Sequence, residues 1–203
     1  MRELEEIQKS ALCEVGNIGS GHAATALAEI VGRRVSVSVP KIWIASPTHI
    51  PSGLNGSGTM RGTHFKVLGE PSGGILFVLS EANATKLLGL VMNKNNHPVA
   101  EWSSIEQATL KETGLILCAA YLNALNRLME LRLIPSIPKI FSGRLEEILP
   151  TAFAQPTVSL EDSVGVLNQF VEATTQLEAY FFFIPEPAGL SLMLERLGVS
   201  VPK

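Results

Sequence analysis

Cysteine is scarce in this chain, with two in 203 residues, and Cys13 and Cys118 lie far apart without a C-x-x-C pair. That spacing argues against a disulfide framework or a cysteine-ligated metal, and both are expected to pack as small hydrophobes. The four histidines (His22, His49, His64 and His97) are scattered, so a metal cluster has little support. Long apolar runs are missing too. Gly74–Leu79 and Ala179–Ile184 are strand-sized, well below the ~20 residues of a membrane-spanning helix. The opening MRELEEIQKS is charged and lacks the apolar core of a signal peptide, so the chain is read as cytoplasmic, with no membrane insertion. No charge sign dominates. Sixteen Lys+Arg face 19 Asp+Glu, for a net charge of −3, and no basic tail offers a nucleic acid a binding field. No Ser-His-Asp or Cys-His set can be proposed from residue order. Gly16-x-x-Gly19-x-Gly21 is no phosphate loop, because it follows a helical pattern and no Lys-Ser/Thr completes it.

What is present is a core. Forty-six per cent of the residues are hydrophobic and 17% charged, a composition that folds rather than staying disordered. Leu4, Ile7, Ala11, Val15 and Ile18 recur at helical spacing and predict a long helix from about Glu3 to Val31. Val35–Val39 alternates as a strand, Pro40 punctuates it, and Ile42-Trp43-Ile44 follows. Ile50–Thr63 reads as a Gly/Ser/Pro-rich loop. His64–Leu68 and Gly74–Leu79 predict a hairpin turning at 69–73, and Ser80 a helix cap for a segment reaching Met92. After a polar break at Asn93–Pro98 the order begins again. Ser103 and Glu106 fit a capping box for a helix over Ser104–Leu131. Leu133–Ile140 is extended and carries prolines. Val166–Ala173 and Leu177–Ile184 form a second hairpin, and Gly189–Leu197 a last helix.

The two halves match in residues as well as in order. Glu14 and Glu112, Gly16 and Gly114, Ile18 and Ile116, Leu27 and Leu125, and Pro40 and Pro138 share one offset (112 − 14 = 98). Leu79-Ser80-Glu81 matches Ile184-Pro185-Glu186 at an offset of 105, and the extra seven residues read as a loop insertion. These matches predict one domain over 1–203 built from repeat halves 1–97 and 98–203. The expected fold is α/β (α+β): a pseudo-two-fold duplicated unit with a central, mainly antiparallel sheet and two long helices packed on it.

Chemistry concentrates in Ser10-x3-Glu14-x2-Asn17. At 100° per residue, Ser10, Glu14, Asn17 and Gly21 fall in one stripe, roughly 80° from the apolar stripe, so a carboxylate and a carboxamide can reach into one site. Taken by itself, a Glu/Asn pair of this kind is more often a solvated helix face than a site. Gly16, Gly19 and Gly21 each weaken the helix by about 1 kcal/mol relative to Ala. They point either to tight helix packing or to clearance for a docked partner.

Ser10-x3-Glu14-x2-Asn17-x22-Pro40 resembles the D/S-x3-E-x2-N-x22-P signature of the CheC/CheX/FliY phosphatases, and Glu14–Ala26 and Tyr180–Pro187 resemble CheC. The resemblance implies a chemotaxis phosphatase acting on the phospho-aspartate of a CheY-like response regulator. Glu14 and Asn17 would then be the catalytic residues, with Ser10 and Pro40 in support. Asn17 would position the attacking water and Glu14 would pair with a lysine of the regulator. No cofactor is expected on this chain, and Mg is expected in the regulator. The receptor deamidase CheD is a further possible partner, and a non-catalytic binding module for either protein is the competing expectation. The second half departs from the signature. It has Ala108, Glu112, Leu115 and Pro138, and Leu cannot hold a water by hydrogen bonds. The Glu112/Pro138 site is therefore expected to be degenerate, either a leftover surface carboxylate or a face that still docks a partner.

Overall fold

A computed structural model of the chain describes residues 4–45, 58–93, 102–153 and 163–199. Two long helices, α1 (Glu6–Val31) and α3 (Ser104–Met129), have 26 residues each and begin 98 positions apart. Their starts are capped in related ways. Glu5 N donates to Gln8 Oε1 at 3.0 Å, and Ser103 N donates to Glu106 Oε2 at 2.8 Å while Ser103 Oγ accepts from Glu106 N. Each arrangement occupies backbone donors that the first turn leaves unpaired. Gly32, with φ 65°, ends α1 in the left-handed conformation that glycine adopts without a Cβ penalty.

The strands are β1 (Val35–Val37), β2 (Lys41–Ala45), β3 (Met60–Leu68), β4 (Gly73–Ser80), β5 (Ile134–Pro135), β6 (Lys139–Gly143), β7 (Ser163–Glu172) and β8 (Leu177–Pro185). They form one sheet in which every described pairing is antiparallel. β4 and β8 lie at its centre, β3 and β7 outside them, and β6 and β2 pair with β3 and β7 respectively. The continuous apolar runs Gly74–Leu79 and Phe181–Ile184 follow from this position. Central strands covered on both faces have no polar side to alternate with, and all of these residues are buried. The remaining helices are α2 (Glu81–Met92), α4 (Leu145–Phe153) and α5 (Pro187–Arg196).

One face of the sheet holds the main core, where α1 and α3 pack on Phe65, Phe77, Phe170, Phe181 and Phe183. Cys118 is buried there and Cys13 is half-buried, both as free thiols. The helices meet where Gly19 lies against Tyr121 and Leu125, with no room for a Cβ. The other face is covered by α4, whose Leu145, Ile148, Leu149, Ala152 and Phe153 pack on Leu76, Val78, Leu167 and Phe182.

Several expectations need correction. α3 ends at Met129 rather than Leu131. Most of the Ile50–Thr63 loop lies outside the described residues, but Met60–Thr63 already pairs with β4 and β6. Helix α4 (Leu145–Phe153), between β6 and β7, is not among the expected elements; it covers the second apolar face of the sheet. Helices α2 and α5 begin 106 positions apart, at Glu81 and Pro187, one more than the offset of 105 matched in the sequence. The N-caps Ser80 and Glu186 of α2 and α5 stand at that same spacing.

Candidate functional site

The inward face of α1 consists of Gln8, Leu12, Val15, Gly16, Gly19, Ser20, Ala23, Ala24, Leu27 and Val31. The expected apolar stripe is displaced from it. Ile7 is exposed, and Ala11 and Ile18 are only half-buried. Small residues explain the shift. Gly16 and Gly19 turn inward because a Cβ at Gly16 would meet Val166 Cγ1 at 2.5 Å, and one at Gly19 would meet Tyr121 Cε2 at 2.6 Å. The glycine backbone itself forms the contact surface, which a hydrophobicity pattern does not register.

This rotation leaves the Ser10/Glu14/Asn17/Gly21 stripe roughly 140° from the centre of the buried face, nearer to fully opposite than the sequence pattern implies. Ser10, Glu14 and Asn17 are exposed. None of their side chains has a hydrogen-bond or ion-pair partner among the described residues. The groups nearby bond locally to backbone instead: Ser20 Oγ donates to Asn17 O at 3.2 Å and Thr25 Oγ1 to Gly21 O at 3.0 Å. Glu14 and Asn17 therefore offer a carboxylate and an amide, one helical turn apart, with their hydrogen-bonding capacity uncommitted. Gly21 has nothing within 4 Å of where a Cβ would stand. Of the three glycines, two serve packing and only Gly21 leaves open space on the polar stripe. His22 is exposed beside it.

Pro40 is brought to the flank of this stripe. It is buried, its ring lies 3.1 Å from the Cβ position of Gly16, and its carbonyl accepts from Cys13 Sγ at 3.7 Å. The ring wedges between strand β2 and α1, fixing the helix against the sheet edge just behind Asn17. Val39, which precedes it, and Lys41, which follows it, are exposed. Sequence reasoning passed over both, although the paired Val39-Pro40-Lys41 and Ile137-Pro138-Lys139, at the shared offset of 98, carried the signal.

On α3, Ala108 and Glu112 are exposed, Leu115 is half-buried against the core, and Pro138 is half-buried. Gly114 fits over β3, where a Cβ would meet Thr63 Oγ1. Glu112 has no partner among the described residues. The face thus presents a carboxylate at the same register as α1, with an aliphatic side chain where the amide stands on α1.

Trp102 and His64 lie away from the α1 stripe. Trp102 is buried and donates from Nε1 to Glu81 Oε1 at 3.0 Å, while the Arg61 guanidinium lies over its ring, so it anchors the start of α2. His64 is buried on the α4 face against Phe141 and Phe153. Burial, and then Lys139 and Lys66, lower its pKa to about 4, which keeps it neutral. No group of three or more potential metal ligands occurs among the described residues, and none of the described helices is long and apolar enough to cross a membrane.

Residues 7–44 match the CheC-like family, a segment that contains the whole Ser10-to-Pro40 signature. Over 98% of its length the chain is 24% identical to the CheY-P phosphatase CheC of Bacillus subtilis (strain 168), covering 97% of that protein. Its fold superposes on Thermotoga maritima FliY with a TM-score of 0.73 at 18% identity, covering 97% of this chain and 98% of that one. It also superposes on a CheX–CheY–BeF3–Mg complex from Borrelia burgdorferi with a TM-score of 0.59 at 12% identity, covering 84% and 96%. At these identities the structural matches establish the fold alone.

Proposed function

We propose that this chain, a CheC-like protein by sequence and by fold, accelerates dephosphorylation of the phospho-aspartate of a CheY-like response regulator in the cytoplasm. The observation that carries the proposal is the exposed, unpartnered pair Glu14 and Asn17 on one stripe of α1. A surface carboxylate and amide with no hydrogen-bonded nucleophile–base pair beside them among the described residues make a poor self-contained hydrolase. They suit a reaction in which the partner supplies the acyl phosphate and its Mg. Water oxygen bonds to phosphorus, the bond from phosphorus to the aspartyl oxygen breaks, and free carboxylate and inorganic phosphate leave. What remains to be supplied is water held in line, which the Asn17 amide can do by accepting one hydrogen bond and donating another. Glu14 fixes register by pairing with a lysine of the regulator, and Pro40 holds the helix that carries both. The name of the Bacillus subtilis relative and the CheX–CheY complex support this partner.

The competing reading is a non-catalytic binding module for a response regulator or for CheD, favoured by the loss of the hydroxyl and the amide at Ala108 and Leu115. Decay of a phosphorylated CheY-like regulator, timed with and without this protein, separates the two. Acceleration that disappears in Glu14→Ala and Asn17→Ala supports the phosphatase. Binding with an unchanged decay rate supports the module.

A further inference from the structure

Beneath α1 the core is not wholly apolar. Asn168 and Tyr121 are both 0% exposed. The amide nitrogen and oxygen of Asn168 and the hydroxyl of Tyr121 have no hydrogen-bond partner among the described residues. Buried polar groups in that state are rare and costly. Shared neighbours bring the two together. Asn168 stands directly opposite Phe181 in the β7–β8 ladder, on the same face, and the Tyr121 ring lies 4.9 Å from the Phe181 ring. The edge of the Tyr121 ring also fills the space under Gly19. Ser20, the next residue, is 0% exposed as well. Its hydroxyl donates to Asn17 O at 3.2 Å, which leaves its oxygen able to accept.

The run of the chain sets Ser20 above Asn168. Gly16 rests on Val166, and α1 leads through Gly32 to Val35, which pairs with Glu172, so helix and strand run the same way. Ser20 is about 6 Å, one turn, beyond Gly16. Asn168 is about 7 Å, one same-face step, beyond Val166. The other half is built differently. Phe65 pairs with Ile75 as Asn168 pairs with Phe181, 106 positions on (181 − 75 = 106). Its ring comes within 3.3 Å of the Cβ position of Gly114. A single Thr63 hydroxyl, packed against Gly114, is unpartnered there. The buried amide therefore lies under the helix that carries Asn17.

We infer that Asn168 and Tyr121 hold an internal water beneath α1, that Ser20 connects it to the backbone of Asn17, and that these three are positioning residues for the Asn17 amide. Water is the ligand they fit. Uncharged donors and acceptors converge there, and a buried water bonds to about three such groups. The connection through Ser20 to Asn17 O ties the turn that bears the amide to the sheet. The inference rests on the phosphatase reading for what the amide does, and not for the water.

Two measurements test it: water–protein nuclear Overhauser spectroscopy, and single-turnover hydrolysis of a phosphorylated CheY-like regulator. Wild type is expected to show a long-lived water at protons of Asn168, Tyr121 and Ser20. Asn168→Leu, which removes both polar atoms at nearly constant volume, should lose it at Tyr121 and Ser20. The same variant should lower the maximal rate roughly tenfold, with the regulator concentration giving half that rate unchanged. Adding Tyr121→Phe removes the orphaned hydroxyl and should raise the melting temperature again without restoring the rate. No long-lived water at these protons, or hydrolysis by Asn168→Leu at the wild-type rate, overturns the inference and leaves the phosphatase reading standing. Wild type that leaves regulator decay unchanged overturns that reading and the positioning role with it, and the water signal then decides the internal site alone.

Discussion

α1 and α3 are of equal length, begin 98 positions apart and sit on one sheet through inward glycines, Gly16 and Gly114. They still present different chemistry outward. The register that exposes Glu14 also exposes Glu112, because exposure is set by how the helix packs. Whether water can be held beside the carboxylate is set by one side chain, Asn17 or Leu115. Packing and chemistry are thus separable in this fold, and exchanging residues between the halves tests the separation.

The largest effect is expected from Asn17→Leu, which copies the α3 residue onto α1. If the Asn17 amide positions water as proposed, losing it should lower the acceleration of regulator dephosphorylation roughly 100-fold, read by phosphate release, with the melting temperature little changed at this exposed site. Acceleration kept within a few-fold would break the comparison. Next is Gly19→Leu, which copies Leu117. The site is filled by Tyr121 and Leu125, so overpacking should cost about 3 kcal/mol in a urea melt. Gly21→Ala copies Ala119 into open space and should instead stabilise by up to about 1 kcal/mol, which would show that the two glycines serve different ends.

Acid should distinguish the halves more gently. His64 of β3, which pairs with Lys139, occupies the register that Leu167 of β7 holds opposite Lys41. Its folded pKa of about 4 lies below the ordinary 6.5 because burial, and then Lys139 and Lys66, disfavour the charged ring. The unfolded chain therefore takes up the proton first, and stability falls as pH drops from about 6.5 through 4. His64→Leu should flatten that part of the profile. In the other hairpin, Glu172 accepts from Thr174 N and Thr175 N, both at 2.8 Å, and from Thr175 Oγ1. Burial, the largest single influence, raises its pKa, but the bonds from Thr175 and Thr174 together outweigh it and lower the pKa from 4.5 to about 2. Its contribution is present above pH 4.5 and fades as pH falls through 2. Denaturant melts of Glu172→Gln from pH 7 to pH 2.5 should lose this lower step and keep the upper one.

Much of this architecture was legible in the sequence because its signals are local. The capping box at Ser103 and Glu106, the cap at Ser80 and the hairpin turning at Thr174–Gln176 each rest on residues within a few positions of one another. The offset of 98 placed α3 once α1 was placed. Two features escaped for tertiary reasons. The buried face of α1 is turned away from the apolar stripe because glycine backbone packs against Val166 and Tyr121, contacts made across the fold. α4 escaped because it exists to cover the far side of the sheet, a need that only the assembled strands create. Within the candidate site, the spacing of Ser10, Glu14, Asn17 and Pro40 was readable at once, whereas Ile7 and Val39 could be distinguished from core only by their exposure in the folded chain.

The central claim concerns the Asn17 amide, and single-turnover hydrolysis of a phosphorylated regulator at saturating concentrations of this protein addresses it most directly. The account predicts that Asn17→Ala binds the beryllofluoride-trapped regulator as wild type does, yet lets the phosphorylated form decay close to its unaided rate. An Asn17→Ala protein that hydrolyses the bound regulator at the wild-type rate would contradict it.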